Sequence, residues 1–274
     1  MGFNTKIEDD MNLHLKTAVT AALKAGEAIM NVYNTAFDVE IKEDNSPLTE
    51  ADKKANEIIN SFLVATNIPI ISEENKQLDY KTRKAWDVCW VVDPVDGTKE
   101  FIKRNGEFTV NIALVEHRKP ILGVIYVPDS KVLYVADVNN KKAYKTNLTH
   151  HNTPFENLSK SWKQIHAKKD TDQVIKVVGS RSHMNQETLD FVAGLKDKGH
   201  DVDILSRGSS LKFCIVAEGK ADFYPRFAPT MEWDTAAGQA ICNAVGIQVI
   251  SEETKQPLLY NKENLLNPWF LVKK

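Results

Sequence analysis

The sequence predicts an α/β fold, with helices packed on a mostly antiparallel sheet in the N-terminal half and alternating strands and helices in the C-terminal half. Three observations support this. Helical periodicity dominates the first 63 residues, five apolar strand-like runs occupy residues 68–135, and strands alternate with helices after residue 174. We expect two domains, residues 1–145 (α+β) and 146–274 (α/β), because the polar, loop-rich residues 139–172 are typical of a junction.

The N-terminal half contains two predicted helices. Apolar residues recur at helical intervals over residues 11–33, which predicts the first helix. Residues 39–42 alternate like a strand, residues 44–47 form a turn, and Thr49 is the expected N-cap of a helix that reaches Leu63. Apolar and β-branched runs predict strands at 68–71, 88–92, 108–115, 120–128 and 132–135.

The C-terminal half follows a different pattern, in which short strands and helices take turns. Strands are expected at 174–178, 203–205, 221–224 and 247–250, and helices at 185–198, 211–217 and 235–245. This alternation is typical of an α/β layer.

Composition narrows the functional class. With 42% hydrophobic residues, 26% charged residues and a formal net charge of −2, the chain is typical of a globular protein and not of a nucleic-acid-binding one. The three cysteines have no metal-ligand spacing, so we expect buried free thiols in a reducing compartment. No signal peptide or membrane-spanning run is expected either, and these features together favour the cytoplasm.

The segment 90–100 (WVVDPVDGTKE) is the strongest chemical signal. An apolar strand ends at Asp93 and Asp96, and Pro94 and Gly97 allow a tight turn that folds both carboxylates and the Val95 carbonyl around one centre. Two anions held this close repel unless a cation lies between them. Hard oxygen donors, with no His or Cys nearby, suit Mg²⁺ better than zinc.

Two further carboxylates occupy comparable places. Glu73 ends the preceding strand, and Asp234 begins a helix rich in small residues. Ligands of α/β proteins bind at strand ends and helix starts. Taken singly, each residue has a commoner explanation, Glu73 as a helix-start acid and Asp234 as a helix N-cap.

Three ordered segments, 72–74 (SEE), 93–98 (DPVDGT) and 233–238 (WDTAAG), resemble the signatures of the inositol monophosphatase superfamily of Mg²⁺-dependent, lithium-sensitive phosphatases. Residues 97–114 resemble the branch of bacterial CysQ-type 3′(2′),5′-bisphosphate nucleotidases. Further similarity to that branch lies in residues 179–183 (GSRSH), 208–214 (GSSLKFC), 216–219 (VAEG) and 224–227 (YPRF). The resemblance covers nearly the whole chain.

The resemblance implies a layered αβαβα sandwich with a metal-binding first domain and a substrate-binding second domain. It implies hydrolysis of the 3′-phosphate of 3′-phosphoadenosine 5′-phosphate (PAP) to AMP, a reaction of sulfur metabolism, and extends to the sulfated relative PAPS. Two or three Mg²⁺ ions are expected. Their implied ligands are Glu73, Asp93, the Val95 carbonyl, Asp96 and Asp234.

The resemblance also implies roles in catalysis and substrate binding. Thr98 would orient the attacking water, the N–H groups of Gly97 and Thr98 would bind phosphate, and Glu73 is the neighbouring base candidate. The partner of Thr98 is open, with the region of Asp44 and Ser46 as candidates. The implied contacts to the second phosphate and the adenosine are His183, Ser209, Lys212 and Arg226, with Glu100 near the ribose or base.

Two alternatives remain. An inositol or sugar phosphatase is the rival enzyme, and the Lys99-Glu100 pair argues against it because many inositol phosphatases have Thr-Asn at that place. A non-catalytic nucleotide- or metal-binding module could use the same carboxylates. The sequence leaves open the oligomeric state, the number of ions bound at rest, and peripheral association with the inner membrane.

Overall fold

The computed structural model describes residues 2–41, 47–158, 160–167, 174–180 and 184–274, without the side chains of residues 2–10 and 180. The N-terminal part begins with a long helix that starts earlier than the periodicity predicted. Its elements are α1 (Gly2–Tyr33), β1 (Val39–Ile41), β2 (Pro47–Thr49), α2 (Glu50–Leu63), β3 (Ile70–Ser72), α3 (Tyr80–Arg83), β4 (Val88–Asp96) and α4 (Thr98–Ile102).

A large sheet forms the centre of the molecule. It is completed by β5 (Thr109–Glu116), β6 (Lys119–Val127), β7 (Val132–Asp137), β8 (Lys142–Asn147) and β9 (Lys163–Gln164), while α5 (Phe155–Leu158) lies between the last two strands. Within the described residues its seven strands run in the order β3-β4-β5-β6-β7-β8-β9, and every neighbouring pair except β3–β4 is antiparallel. The predicted antiparallel sheet is confirmed.

Residues 139–172 were expected to be a loop-rich junction, and this expectation is wrong for part of the segment. β8 pairs with β7 along its whole length, and β9 pairs with β8. The alternating polar and apolar residues of β8 are typical of an outer strand with one solvated face, which hides the strand in composition. The first sheet therefore extends to Gln164, and the division at residue 145 stays a prediction.

The C-terminal part builds a second, smaller sheet. Its elements are β10 (Val174–Ser180), α6 (Gln186–Asp197), β11 (Asp201–Arg207), α7 (Leu211–Ala217), β12 (Phe223–Arg226), α8 (Ala236–Ala244), β13 (Gln248–Ser251) and β14 (Phe270–Lys273). The strand order is β11-β10-β12-β14-β13, with parallel pairs at β10 and antiparallel pairs at β14. The sequence reading missed only β14 among these elements.

Two hydrophobic clusters show how the layers stack. Trp90, Val92 and their neighbours on one face of the large sheet pack against α1 and α2. Cys89 and Val91, which alternate with them, belong to a cluster that contains α7, α8 and the inner face of the second sheet. The layers are helices, large sheet, helices, small sheet and helix α6, so the predicted αβαβα sandwich is confirmed.

Helix α8 packs against β5, β6 and β7, and small residues such as Ala237 and Ala240 of the helix and Gly123 of β6 allow a close approach. A Cβ atom on Gly123 of β6 would lie 2.6 Å from the Ala237 carbonyl oxygen and 2.7 Å from the Ala240 Cβ. This close approach brings the start of α8 to the end of β4.

Among the described residues, no helix combines the length and apolar character needed to cross a membrane.

Candidate metal centre and active site

A polar cleft of about 350 Å³ opens where β4 ends, between the large sheet and the helices α7 and α8. One wall carries carboxylates and the other carries cations. The lining includes most of the residues that the sequence singled out, namely Glu73, Asp93, Val95, Asp96, Gly97, Thr98, Glu100, Ser209, Lys212, Arg226 and Asp234.

The carboxylates of Asp93, Asp96 and Asp234 form the centre of this cleft. Each offers an oxygen that lies within 4.8 Å of an oxygen of the other two. Glu73 lines the same cleft but does not belong to this tight group of three. The structure thus brings together acidic residues that are up to 141 positions apart in the chain, from Asp93 to Asp234.

A β-bulge, and not the expected tight turn, explains why Asp93 and Asp96 meet. In β4, Asp93 pairs with Asn111 and Asp96 pairs with Thr109, so the strand holds one residue more than its partner. Residues three apart in a regular strand point to opposite faces, and the extra residue cancels that difference. Pro94 lies within this irregularity, where a missing N–H breaks no ladder bond.

Hydrogen bonds orient each carboxylate. The Val95 N–H donates to Asp93 Oδ1 at 3.0 Å, and the Met231 N–H donates to Asp234 Oδ2 at 2.8 Å. Asp96 Oδ2 lies 2.7 Å from Ser210 Oγ and accepts from Asn111 Nδ2 at 3.2 Å. The three acids are therefore held in place and leave further oxygens toward the cleft.

The electrostatics of the cluster call for a cation. Burial raises the pKa of Asp93 well above its usual range, and the negative charges of Glu73, Asp96 and Asp234 raise it further. Burial, followed by Asp96 and Glu73, likewise raises the pKa of Asp234. Buried like charges this close are unfavourable alone, and a divalent ion would relieve both burial and repulsion. With oxygen donors only, the residues fit Mg²⁺.

The structure gives Thr98 a partner that the sequence reading missed. Thr98 Oγ1 lies 3.3 Å from Asp52 Oδ1 and also 3.3 Å from the Val95 carbonyl oxygen, so both can accept its proton. Asp52 is buried at the start of α2. Asp52 Oδ2 accepts from the N–H and the Oγ1 of Thr49, at 2.8 and 2.6 Å. The candidate partners Asp44 and Ser46 lie outside the described residues.

In the sequence, Asp52 belongs to the pattern Thr49-x-x-Asp52, which is typical of a helix-capping box. This structural explanation hides its second contact. Such a box explains one carboxylate oxygen of Asp52 and leaves the other for Thr98.

The cationic wall is built by α7 and β12. Lys212 is buried, and burial lowers its pKa to about 8, although Asp96 opposes that shift. Its Nζ donates to the Ser209 carbonyl and lies 5.4 Å from the centre of the Tyr224 ring. Arg226 donates from Nη2 to the Pro229 carbonyl at 2.9 Å, while its buried Nε has no partner among the described atoms.

The remaining predicted contacts divide into two groups. Ser209 and Glu100 line the cleft, and Glu100 is only 7% exposed. His183 lies outside the described residues, so its predicted role stays a prediction.

Comparison with known proteins agrees with this geometry. Residues 10–269 match the inositol monophosphatase family. The chain is 46% identical over 256 residues to the 3′(2′),5′-bisphosphate nucleotidase CysQ of Escherichia coli O157:H7, covering 92% of this chain and 96% of that protein. It is 44% identical over 262 residues to CysQ of Salmonella typhimurium, covering 94% and 98%.

Solved structures give the same result. The crystal structure of CysQ from Bacteroides thetaiotaomicron superposes with a TM-score of 0.85 at 50% identity, covering 95% of this chain and 96% of that one. The inositol monophosphatase of Anabaena, at 21% identity and a TM-score of 0.70 over 96% and 91% of the two chains, shares the fold. A match that spans nearly the whole sequence, together with this acidic cleft, shows that the chain belongs to the inositol monophosphatase family.

Proposed function

We propose that this protein is a Mg²⁺-dependent 3′(2′),5′-bisphosphate nucleotidase that hydrolyses the 3′-phosphate of PAP to AMP and phosphate. One observation carries the proposal. The cleft has two separate places for anionic groups, a carboxylate cluster suited to metal ions and a wall formed by Lys212 and Arg226. A bisphosphate needs both, and the relatives named CysQ have this activity in their name.

The metal site is assigned to Asp93, Asp96, Asp234, Glu73 and the Val95 carbonyl. Bound Mg²⁺, as two or three ions, would supply positive charge that polarises the phosphate ester, lowers the pKa of a water molecule and stabilises the leaving oxygen. The carboxylates hold that charge in the cleft, and their hydrogen bonds keep them from moving during the reaction.

Thr98 and Asp52 would orient the attacking water. Because the Val95 carbonyl is assigned to the metal, the Thr98 hydroxyl would donate its proton to Asp52 and not to that carbonyl. Its oxygen would then present lone pairs to the cleft, where a water can donate to them. Asp52 is in turn fixed by Thr49 and can receive the proton through Thr98. This pair replaces the region of Asp44 and Ser46 as our candidate for activating water.

The cationic wall would bind the second phosphate. Lys212 has three N–H donors, and the structure shows one of them bound to Ser209, while Arg226 has a buried Nε that lacks a partner. Such donors are suited to a phosphate oxygen. The same contacts would accept the 5′-phosphosulfate of PAPS. Glu100, on the adjoining wall, is suited to accept from a ribose hydroxyl.

Turnover on three substrates tests the proposal. Phosphate release is measured with PAP, inositol 1-phosphate and fructose 1,6-bisphosphate, with Mg²⁺ and with EDTA. We expect PAP to be preferred, activity to require Mg²⁺ and to be inhibited by lithium, and Asp93→Ala to be inactive. Equal or faster release from either sugar phosphate would favour a sugar phosphatase, and no release from any substrate would favour a binding module.

The proposal includes a cytoplasmic location. Cys89, Cys214 and Cys242, all within the described residues, are buried free thiols, which suits a reducing compartment.

A further inference from the structure

The turn that carries Asp234 is held in place by an ion pair between the buried Glu232 and Lys262. Glu232, two residues before Asp234, is 0% exposed. Its carboxylate accepts from the Lys262 Nζ at 2.6 Å, from the Lys262 N–H at 3.0 Å and from the Asn261 N–H at 2.5 Å. Glu232 and Lys262 are not among the described residues that line the cleft, so this pair does not serve the substrate directly.

The pair belongs to a network that reaches helix α3. Arg83, 3% exposed, donates from Nη1 to Asn261 Oδ1 at 2.9 Å and to the Lys262 carbonyl at 3.0 Å. Asn261 returns a hydrogen bond from Nδ2 to the Arg83 carbonyl at 2.7 Å. The segment that carries Lys262 is therefore anchored to the N-terminal half of the chain.

The network also reaches the metal-binding carboxylate. Lys262 Nζ lies 3.3 Å from Asn267 Oδ1, and Asn267 Nδ2 donates to the Met231 carbonyl at 2.7 Å. The Met231 N–H in turn donates to Asp234 Oδ2. Asn267 thus holds Met231, whose N–H orients the Asp234 carboxylate. Glu232, the next residue of the same turn, is held by Lys262.

A buried ion pair is a poor source of stability, because removing both charges from water costs about as much as their attraction returns. What such a pair does provide is a fixed position. The Glu232 carboxylate accepts three hydrogen bonds, so it can move little without losing one of them. Losing the Lys262 ammonium would leave Glu232 as a buried carboxylate without a counter-charge, held only by the N–H groups of Asn261 and residue 262. Glu232 would then take up a proton or move toward water, and either change weakens its hydrogen bonds and loosens the turn.

We propose that Lys262 is a positioning residue for the metal centre, acting through Glu232 and Asn267 on Asp234. This rests on the metal site of the proposed function. Groups that hydrogen-bond directly to metal ligands commonly lower metal affinity by about 10- to 100-fold when they are removed. Lys262 lies further back, because it reaches Asp234 through Asn267 and Met231. The affinity for Mg²⁺, and not the affinity for the nucleotide, is therefore the quantity that Lys262 controls.

The test is Mg²⁺ binding to the metal-free full-length protein by isothermal titration calorimetry, together with the Mg²⁺ concentration for half-maximal PAP hydrolysis. We expect Lys262→Met to weaken Mg²⁺ binding about tenfold, the lower end of the range for direct partners, and to leave the KM for PAP at saturating Mg²⁺ within about twofold. The double variant Glu232→Gln/Lys262→Met should bind Mg²⁺ more tightly than Lys262→Met alone, because no unpaired charge remains.

Lys145→Met is the matched control. Lys145 pairs with the largely buried Glu218 at 3.0 Å, and neither residue is in the described lining of the cleft. The Lys145→Met variant should have a lower thermal stability and an unchanged affinity for Mg²⁺. Asn267→Ala, a milder change, should weaken Mg²⁺ binding about threefold through the lost hydrogen bond to Met231, and it keeps the test valid if Lys262→Met does not fold.

Unchanged Mg²⁺ affinity in Asn267→Ala or in a folded Lys262→Met would overturn the inference, as would an equal loss in Lys145→Met. Absence of Mg²⁺ binding in the wild-type protein would instead overturn the metal site itself.

Discussion

Substituting Gly123 by alanine tests whether close packing of α8 on the large sheet sets the geometry of the cleft. The added Cβ would lie 2.6 Å from a backbone oxygen and 2.7 Å from the Ala240 Cβ, whereas ordinary contacts begin at 3.4 Å. Neither neighbour is the end of a flexible side chain, so the helix has to retreat by most of an ångström. Overpacking of this kind costs about 1–3 kcal/mol.

The same displacement reaches the active site, because α8 begins directly after Asp234 and Thr235. A misplacement of about 1 Å can lower a rate about 100-fold. We therefore expect Gly123→Ala to lower the Tm by roughly 2–12 °C and kcat for PAP by at least about tenfold. Thermal unfolding and steady-state kinetics at saturating Mg²⁺ measure both effects.

Gly194→Ala is the matched control, since a Cβ on this α6 residue meets nothing within 4 Å. It should be neutral or stabilise by up to about 1 kcal/mol, with unchanged kinetics. Wild-type Tm and kcat in Gly123→Ala would refute the argument that this contact fixes the position of α8.

Three further predictions concern the cleft. Asp52→Asn should lower kcat by about 10²- to 10⁴-fold, because Asp52 is assigned to the attacking water. The Mg²⁺ concentration for half-maximal activity should stay the same, and a large increase in it would contradict this assignment. In EDTA, the free energy of unfolding should fall as the pH rises above about 4, since the raised pKa values of Asp93 and Asp234 make folding favour their protonated forms; urea titrations should show a flatter pH dependence in Asp234→Asn. The KM for PAP should rise above about pH 8, where Lys212 loses its proton, and Lys212→Arg should not show that rise.

Strands and helices with strong periodicity were predictable because their burial pattern is local. β5 and β6 were found within one or two residues, since each is a continuous apolar run. β8 was missed because an outer strand with a solvated face has the composition of a loop. The motifs at Asp93 and Asp96 indicated a metal site, but a tight turn was expected where the strand continues through a bulge.

Asp52 shows a second limit of sequence reading. A carboxylate at the third position of a helix has a local explanation as a cap, and its contact with Thr98 crosses 46 positions of chain. Local patterns contain no information about such a pairing. Lys262 shows the same limit. Its sequence context predicts an exposed lysine, whereas in the structure it pairs with the fully buried Glu232.

The sequence by itself determined the layered α/β class, the family and the carboxylates suited to Mg²⁺, because hydrophobic periodicity and short motifs are properties of neighbouring residues. Only the tertiary structure decided that a bulge turns Asp93 and Asp96 to one face, that Asp52 holds Thr98, and that Lys262 and Arg83 anchor the turn of Asp234. These relations join segments far apart in the chain, and they exist only once the core has brought the two sheets and α8 together.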